Sequence, residues 1–326
     1  MYKKPSEKLW QGRSSTQALY LHEKVQCIAL DKMAGESFPN AMALLGYACD
    51  EGVQRNQGRI GAKEGPDAIR RALGKLPNHL NDEFPVLDVG TITCNQGKME
   101  SAQHELQGSI DQLLQKGVFP IVLGGGHDMA YGHFKGIQSY LSSQNEKRQV
   151  GIINFDAHFD LRSNAYGNTS GTPFYQIANE CDHPEDFKYL CLGIREDAND
   201  RILFQSAQEL NVKYLTKDTF QIRYAEEINT WIKAFLNAVE MVYVTIDLDG
   251  FSSAFAPGVS APSPMGFSPD IALESLKTII SSGKLISFDI AEMNPKFDSD
   301  QRTAKLAASL VHYVMHQQPI KKKSLP

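Results

Sequence analysis

Continuous apolar runs recur along the chain, and amphipathic stretches separate most of them. Such runs are typical of strands buried on both faces of a parallel sheet, because the helical crossovers between parallel strands cover both faces. The pattern therefore predicts a three-layer α/β/α fold. The predicted strands lie in "FPIVLGGG", "QVGIINFDAHFD", "KYLCLGIR", "VKYLT", "MVYVTIDLDG" and "KLISFDIAE". Helices are predicted at 65–76, 101–117, 129–142, 224–239, 268–281 and 300–317, and long loops at 161–187 and 250–268.

The composition predicts one globular domain. The 326 residues contain no internal repeat, low-complexity block or Gly/Ser linker, and 42% of them are hydrophobic. We therefore expect a single catalytic domain over 1–326, with an N-terminal extension at 1–39 and a basic tail at 318–326.

The charge and the termini suggest a location and exclude some partners. A net charge of −5 argues against nucleic acid and anionic membrane as partners. The N-terminus lacks the apolar core of a signal peptide, and no apolar stretch is long enough to span a membrane. The five cysteines form no CxxC pair, as expected of reduced thiols. A cytoplasmic protein that acts on a small molecule is predicted.

Metal-ligating side chains follow three of the predicted strands. Asp156, His158 and Asp160 alternate in "NFDAHFD", and would share one face if that stretch stayed extended. Asp247 and Asp249 end "VTIDLDG", and His127 follows "PIVLGGG". In an open parallel sheet, ligands bind outside the carboxyl ends of the strands. We therefore expect these six side chains to meet there.

The charge of this cluster suggests what it binds. Four aspartates carry −4, which two divalent cations would neutralise. Carboxylates with imidazoles favour an ion such as Mn²⁺ over thiolate-binding metals, and two close ions can activate water at neutral pH. Each motif alone could be a hydrogen-bonded strand end or a plain tight turn. Together they predict a dinuclear metal hydrolase.

The motifs resemble those of the ureohydrolases, the family of arginase, agmatinase and formimidoylglutamase. The resemblance rests on "GGGHD", "NFDAHFD", "TIDLDGFSSAFAPG" and "DIAEMNP", with "GAKEGPDAIRRAL" near the start, and runs from about Gly46 to about His316. It implies an arginase-like α/β/α fold with a mainly parallel eight-stranded sheet. It also implies two Mn²⁺ per chain, hydrolysis of a C–N bond in a guanidine or amidine, and a homo-oligomer, either a trimer or a hexamer.

The resemblance also implies a role for each matching residue. One manganese would be held by His127, Asp156, Asp160 and Asp247, and the other by His158, Asp156, Asp247 and Asp249, so that Asp156 and Asp247 bridge. Water activated between the ions would attack the amidine carbon, and Asp160 would pass its proton to the leaving amine. Glu292, in "DIAEMNP", would bind the amidinium through charge-assisted hydrogen bonds. An exposed loop acid is the alternative interpretation of Glu292.

Three stretches resemble the formimidoylglutamase branch. The loop "GNTSGTPFYQ" (167–176) lacks the histidine that arginases and agmatinases carry there. "APGVSAP" (256–262) and "RNQGRIGAKEGP" (55–66) are also similar to that branch. The implied reaction converts N-formimino-L-glutamate and water to L-glutamate and formamide, a step of histidine catabolism.

This substrate carries two carboxylates, so its pocket should offer cations. Arg162 and Arg195 follow strands on the expected side, and an Arg fork suits a carboxylate. A structural ion pair is the alternative for each. Ser170 and Thr172, in "SGTPF", are predicted to bind substrate with them. In "GIREDAN", Ala198 lies near the place of an acid that arginases direct at the substrate's amine, unless the alignment shifts to Asp197.

Three other functions stay open at this point. Another ureohydrolase could act on agmatine or a guanidino acid and release urea, although the loop without histidine argues against it. A zinc deacetylase on a related fold would use one metal and typically an adjacent His-His pair, which this chain lacks. A degenerate ureohydrolase could act only as a binding module.

Overall fold

The computed structural model describes residues 1–33, 35, 37–144 and 148–318. Of the predicted basic tail, 319–326 therefore lies outside the described residues. The strands are β1 (Tyr2–Lys3), β2 (Val25–Cys27), β3 (Met42–Ala48), β4 (Val86–Thr93), β5 (Phe119–Gly124), β6 (Val150–Phe155), β7 (Lys188–Ile194), β8 (Lys213–Thr216), β9 (Met241–Asp247) and β10 (Leu285–Ala291). The helices are α1 (Leu21–Lys24), α2 (Glu51–Arg55), α3 (Gly65–Leu73), α4 (Met99–Gln115), α5 (Met129–Ser143), α6 (Pro173–Asn179), α7 (Arg201–Glu209), α8 (Ala225–Asn237), α9 (Pro269–Ser281) and α10 (Arg302–Gln317).

The strands form one mainly parallel sheet with the order β1-β4-β3-β5-β10-β9-β6-β7-β8. Only β1 pairs antiparallel among the described strands, and β2 pairs with β4 beside it. The apolar runs predicted β5 to β10 but not β3 and β4. These eight strands match the number that the resemblance implies, but two short strands, β1 and β2, join them, so the implied strand count was wrong. Both extra strands belong to the segment 1–39, and are too short for a periodic apolar pattern to reveal them.

The core lies on both faces of this sheet, as the α/β/α prediction requires. Successive residues of β6 separate into two apolar clusters, because side chains alternate along a strand. Ile153 packs in the cluster that includes Ile69 of α3 and Val311 of α10. Ile152 packs in the cluster that includes Leu106 of α4. Burying each such side chain contributes about 1.5–3 kcal/mol, so both layers stabilise the sheet.

Each predicted strand and helix is present in the structure, but other elements, among them β3, β4 and α7, were not predicted. The segment 161–187 was predicted as a loop, but it contains α6. Pro173 occupies the first turn of this helix, where its absent N–H costs nothing, and Phe174 and Ile177 bury its apolar side. No helix in the described ranges is long and apolar enough to cross a membrane.

Candidate metal centre

The predicted ligands follow strands at the centre of the sheet. The order β5-β10-β9-β6 makes these four strands neighbours, and all pairs among them are parallel. The carboxyl ends of these four strands therefore lie at the same edge of the sheet. His127 follows β5, Asp156 follows β6, Asp247 ends β9 and Glu292 follows β10. The topology thus brings together side chains that are up to 165 positions apart, such as His127 and Glu292.

Two similar turns hold the aspartates. Asp156 Oδ1 accepts a hydrogen bond from the backbone N–H of His158 at 2.7 Å, and Asp247 Oδ1 accepts one from that of Asp249 at 2.8 Å. The expectation of an extended stretch over 156–160 was wrong, because β6 ends at Phe155 and Asp160 has a φ of 49°. The side chains converge because the chain turns back, with Asp160 in a left-handed conformation that costs of order 1–3 kcal/mol.

The first group of potential ligands surrounds one imidazole nitrogen. His127 Nδ1 lies 2.9 Å from Asp160 Oδ2, 3.2 Å from Asp247 Oδ2 and 3.3 Å from Asp156 Oδ2. One ligand atom from each of these four residues lies within 4.8 Å of the others. This is the set of four predicted for one manganese.

The second group consists of Asp156, His158 and Asp249. His158 Nδ1 lies 3.4 Å from Asp156 Oδ1 and 3.4 Å from Asp249 Oδ1. Asp156 belongs to both groups, as predicted for a bridging ligand. Asp247 belongs only to the first group, so its bridging role stays a prediction.

The electrostatics of the cluster favour cations. Burial and the charge of Asp247 raise the pKa of Asp249 well above its ordinary value, and burial with the charge of Asp156 raises the pKa of Asp160 to about 6. Burial also acts to raise the pKa of Asp156, but the nearby His127 and His158 imidazoles hold that pKa below its ordinary value. Like charges in a buried site repel each other unless a cation lies between them.

Unpartnered atoms test whether metals fit this site. His127 Nδ1 and Asp249 Oδ1 are buried and have no hydrogen-bond partner among the described residues. Buried polar atoms are rarely left without a partner, and both atoms are ligand types for Mn²⁺. Together with four carboxylates and two imidazoles, they fit a pair of divalent cations.

The cluster forms the floor of a cavity of about 320 Å³. Glu292 lies in its wall, with a φ of 67°. Its Oε1 accepts a hydrogen bond from the His127 backbone N–H at 2.9 Å, whereas Oε2 is buried and unpartnered. Burial, followed by the charges of Asp247 and Asp249, raises the Glu292 pKa well above its usual range. Glu292 is therefore no exposed loop acid, and its free oxygen suits a cationic group.

Two of the four predicted substrate-binding residues line this cavity. Ser170 is buried in the wall, and Arg162 is about half exposed, with its Nη1 3.5 Å from Asp200 Oδ2. Ala198 also lines the wall, at the place where the sequence suggested that no acid faces the substrate.

The other two predicted residues do not line the cavity. Arg195 forms a fork with Asp197, at 2.6 and 3.0 Å, and donates to Ser263 Oγ at 2.8 Å. Thr172 Oγ1 donates to the Thr169 carbonyl at 3.0 Å and accepts from Gln176 at 2.8 Å. These contacts are structural, so substrate contacts by Arg195 and Thr172 stay predictions.

The sequence did not identify Arg59, which also lines the cavity. Its Nε and Nη2 donate to the carbonyl oxygens of Ser260 and Val259, at 2.8 and 2.6 Å. Its guanidinium lies 3.9 Å from the centre of the Phe297 ring. The only signal was its place in "RNQGRIGAKEGP", since nothing in the sequence shows that this loop meets residues 259–260.

Comparisons with known proteins agree with this geometry. The model of the Arginase family matches residues 40–316. Formimidoylglutamase from Geobacillus thermodenitrificans is 42% identical over 315 residues, covering 95% of this chain and 95% of the relative. Formimidoylglutamase from Bacillus subtilis has the same fold, with a TM-score of 0.81, 22% identity, and 95% of this chain and 96% of that one covered. A formiminoglutamase variant from Trypanosoma cruzi, solved with Mn2+2, has a TM-score of 0.75 and 25% identity, covering 89% of this chain and 97% of that one.

Proposed function

The chain belongs to the arginase family, and from this premise we propose that it is a metal-dependent hydrolase that converts N-formimino-L-glutamate and water to L-glutamate and formamide. The curated relative at 42% identity over nearly the whole of both chains is a formimidoylglutamase. The loop without histidine at 167–176 supports the same branch.

The observation that carries this proposal is the distribution of charge in the cavity. Asp160, Asp247 and Asp249 line its floor, and Glu292 lines its wall together with two arginines, Arg59 and Arg162. N-formimino-L-glutamate has the matching charges, with a cationic amidine at one end and two carboxylates elsewhere. Agmatine has a cation at both ends, so one of its cations would face the arginines that line the cavity.

The cofactor proposed is a pair of Mn²⁺ ions. His127, Asp156, Asp160 and Asp247 would hold one ion, and Asp156, His158 and Asp249, with Asp247, the other. When bound, the ions neutralise the four carboxylates and lower the pKa of a water molecule that supplies the nucleophile. The oxygen-rich ligand set and the Mn2+2 of the Trypanosoma cruzi structure support manganese as the metal.

The chain's own residues orient the substrate and move the proton. Glu292 Oε2 would accept hydrogen bonds from the amidinium, because it is buried, unpartnered and beside the ligands. Asp160 would carry a proton from the attacking water to the amine nitrogen that leaves with glutamate. Arg162 and Ser170 would bind one substrate carboxylate, and Arg59 would bind the other.

The experiment that tests the function compares products from the Mn²⁺-loaded protein. N-formimino-L-glutamate, arginine, agmatine and guanidinobutyrate are each supplied, and formamide, glutamate and urea are measured. Formamide and glutamate from the first substrate alone are expected. Urea from any of the others would overturn the substrate assignment, and no product from all four, with two ions bound, would favour a binding module.

Three further assignments complete the proposal. The chain acts as one catalytic domain, it works in the cytoplasm, and it assembles as a trimer or hexamer. Light scattering coupled to gel filtration would test the assembly, and a monomeric mass would contradict it.

A further inference from the structure

The buried side chain of Asn199 joins the turn that contains Asp160 to the loop after β7. Asn199 is only 6% exposed. Its Oδ1 accepts a hydrogen bond from the Phe159 backbone N–H at 3.0 Å. Its Nδ2 donates to the carbonyl oxygens of Ala157 and Arg195, both at 2.8 Å. The oxygen and the nitrogen of this amide are therefore both satisfied, which fixes the orientation of the side chain.

Phe159, the residue before Asp160, is held at its carbonyl and its ring as well. The hydroxyl of Tyr189 on β7 donates to the Phe159 carbonyl oxygen at 3.0 Å, and both side chains are buried. The Phe159 ring packs edge-on against Phe204 and Tyr214, with ring centres 5.1 Å apart in each case. Phe159 is therefore fixed through its N–H, its C=O and its side chain, all by residues that follow it in the chain.

These contacts matter because the backbone of Asp160 has an unfavourable conformation. Its φ of 49° lies in the left-handed region, which residues other than glycine seldom enter unless the surrounding structure imposes it. On the other side of Asp160, the Arg162 backbone N–H donates to the Gly171 carbonyl at 2.9 Å. The chain is thus anchored on each side of Asp160, whose Oδ2 lies 2.9 Å from His127 Nδ1.

We propose that Asn199 is a positioning residue, assisted by Tyr189, that holds Asp160 where it can bind metal and carry the proton. Neither residue lines the cavity that the described residues form, so both act through the backbone of Phe159 and not by contact with substrate. An amide suits this role, because it accepts from an N–H and donates to carbonyl oxygens at the same time, which a carboxylate cannot do. This inference rests on the proposed function.

Amide hydrogen exchange in the metal-free full-length protein tests the contact itself. In Asn199→Ala the Phe159 N–H loses its acceptor, and we expect its exchange to become about 10-fold faster, as for the loss of one hydrogen bond. Asn78→Ala is the matched control, because Asn78 also accepts from a backbone N–H, that of Leu80, and donates to a carbonyl, that of Ala18. Asn78 belongs to neither the cavity nor the two groups of ligands, so Phe159 exchange should not change in this control.

Two further measurements connect the contact to Asp160. In Asn199→Ala, titration with Mn²⁺ by calorimetry should show one binding step weakened about 10–100-fold, because Asp160 belongs to only one group of ligands. With saturating Mn²⁺, kcat for N-formimino-L-glutamate should fall by up to about 10²-fold, as for a misplaced group, with KM little changed. Adding Asn199→Ala to Asp160→Asn should lower kcat little further, because both changes act through one carboxylate.

Tyr189→Phe keeps the inference testable if Asn199→Ala does not fold. It removes the hydroxyl that holds the Phe159 carbonyl but retains the ring, and should weaken the same Mn²⁺ binding step and lower kcat. Unchanged Phe159 exchange in Asn199→Ala, equal weakening of both Mn²⁺ steps, or a higher KM with unchanged kcat would overturn the inference. A wild-type protein that releases no formamide would overturn the proposed function, whereas the exchange and Mn²⁺ measurements would still decide the role of Asn199.

Discussion

Two regions of the sheet bury carboxylates, and they treat them differently. At β4, Asp88 is fully buried against Arg70 of α3, whose guanidinium forms a fork with it at 2.9 and 3.0 Å. Trp10 Nε1 donates to the same carboxylate at 2.8 Å. At the carboxyl ends of the central strands, four aspartates and Glu292 share a site whose nearest counter-charges are two histidines. In the first region, the chain itself supplies the positive charge that balances the buried carboxylate. In the second region it does not.

The difference shows what each region is for. A buried carboxylate with its own arginine and several donors needs nothing from solution, so it serves the fold. Atoms left unpartnered at the second region, His127 Nδ1, Asp249 Oδ1 and Glu292 Oε2, have chemistry that a cation satisfies. Burial with a charge deficit is costly unless a ligand supplies the missing charge. Buried carboxylates therefore support the fold in the first region and ligand binding in the second.

The largest expected effect is on turnover. Asp160→Asn removes a carboxylate that is both a predicted ligand and the predicted proton carrier. We expect kcat with saturating Mn²⁺ to fall by about 10²–10⁴-fold, the usual contribution of a general acid–base group. The matched control is Asp218→Asn at an exposed side chain, which should leave kcat unchanged. Wild-type turnover in Asp160→Asn would eliminate the proposed proton route.

The next largest effect is on the stability of the first region, around Asp88. Arg70→Met should lower the free energy of unfolding by about 3–5 kcal/mol, because it leaves Asp88 buried without its counter-charge. Arg71→Met, at the exposed neighbouring position, is the control. Urea unfolding measures both. The double variant Arg70→Met with Asp88→Leu should recover most of the loss, and if it does not, packing rather than charge compensation explains this region.

Metal removal should distinguish the two regions within one molecule. Chelation should lower the Tm, because each ion stabilises the folded state by about 2.7 kcal/mol when its free concentration is 100 times its Kd. Amide hydrogen exchange should then rise at 156–160 and 247–250, and stay unchanged around Asp88. A Tm that does not change after verified metal removal would contradict the charge argument for the second region.

The sequence was most informative where one short stretch contains both an apolar strand and the polar side chains that follow it. The apolar runs predicted six of the ten strands, and the candidate ligands His127, Asp156 and Asp247 could be proposed because each lies within three residues of a strand end. Longer-range information was harder to extract. β1 and β2 pair with β4 through backbone hydrogen bonds. Strands of two and three residues are too short to show a sequence pattern that would predict this pairing.

The remaining features arise from tertiary contacts that no local pattern reports. The left-handed backbone at Asp160 and Glu292 is unfavourable on its own and persists because the surrounding turns and strands impose it. Likewise, Arg59 reaches the cavity wall because its backbone N–H donates to Ser260 Oγ, 201 positions along the chain. A pattern of residue types can predict which groups bind a metal, but it does not show which distant loop completes the pocket.

Arg59 is a third case, in which a charged side chain is held by neutral groups. Its substitution has the smallest predicted effect, which is on KM. The guanidinium of Arg70 meets a carboxylate of the chain, whereas that of Arg59 contacts carbonyl oxygens and the Phe297 ring beside the cavity. Neutral acceptors hold the side chain in place without cancelling its charge, so Arg59 can still attract a substrate carboxylate. Arg59→Gln should raise KM for N-formimino-L-glutamate about 10–100-fold, as expected for losing one charged hydrogen bond, with kcat little changed.

The control and a truncated substrate sharpen this prediction. Arg223→Gln removes another arginine that lies over an aromatic ring, 4.7 Å from the centre of Tyr224, and should leave KM unchanged. A formimino substrate that lacks the carboxylate bound by Arg59 should be insensitive to Arg59→Gln, because both partners of that contact are then absent. If Arg59→Gln instead lowers kcat for both substrates and leaves KM alone, Arg59 holds the loop at 259–260 in place and the substrate carboxylate binds elsewhere.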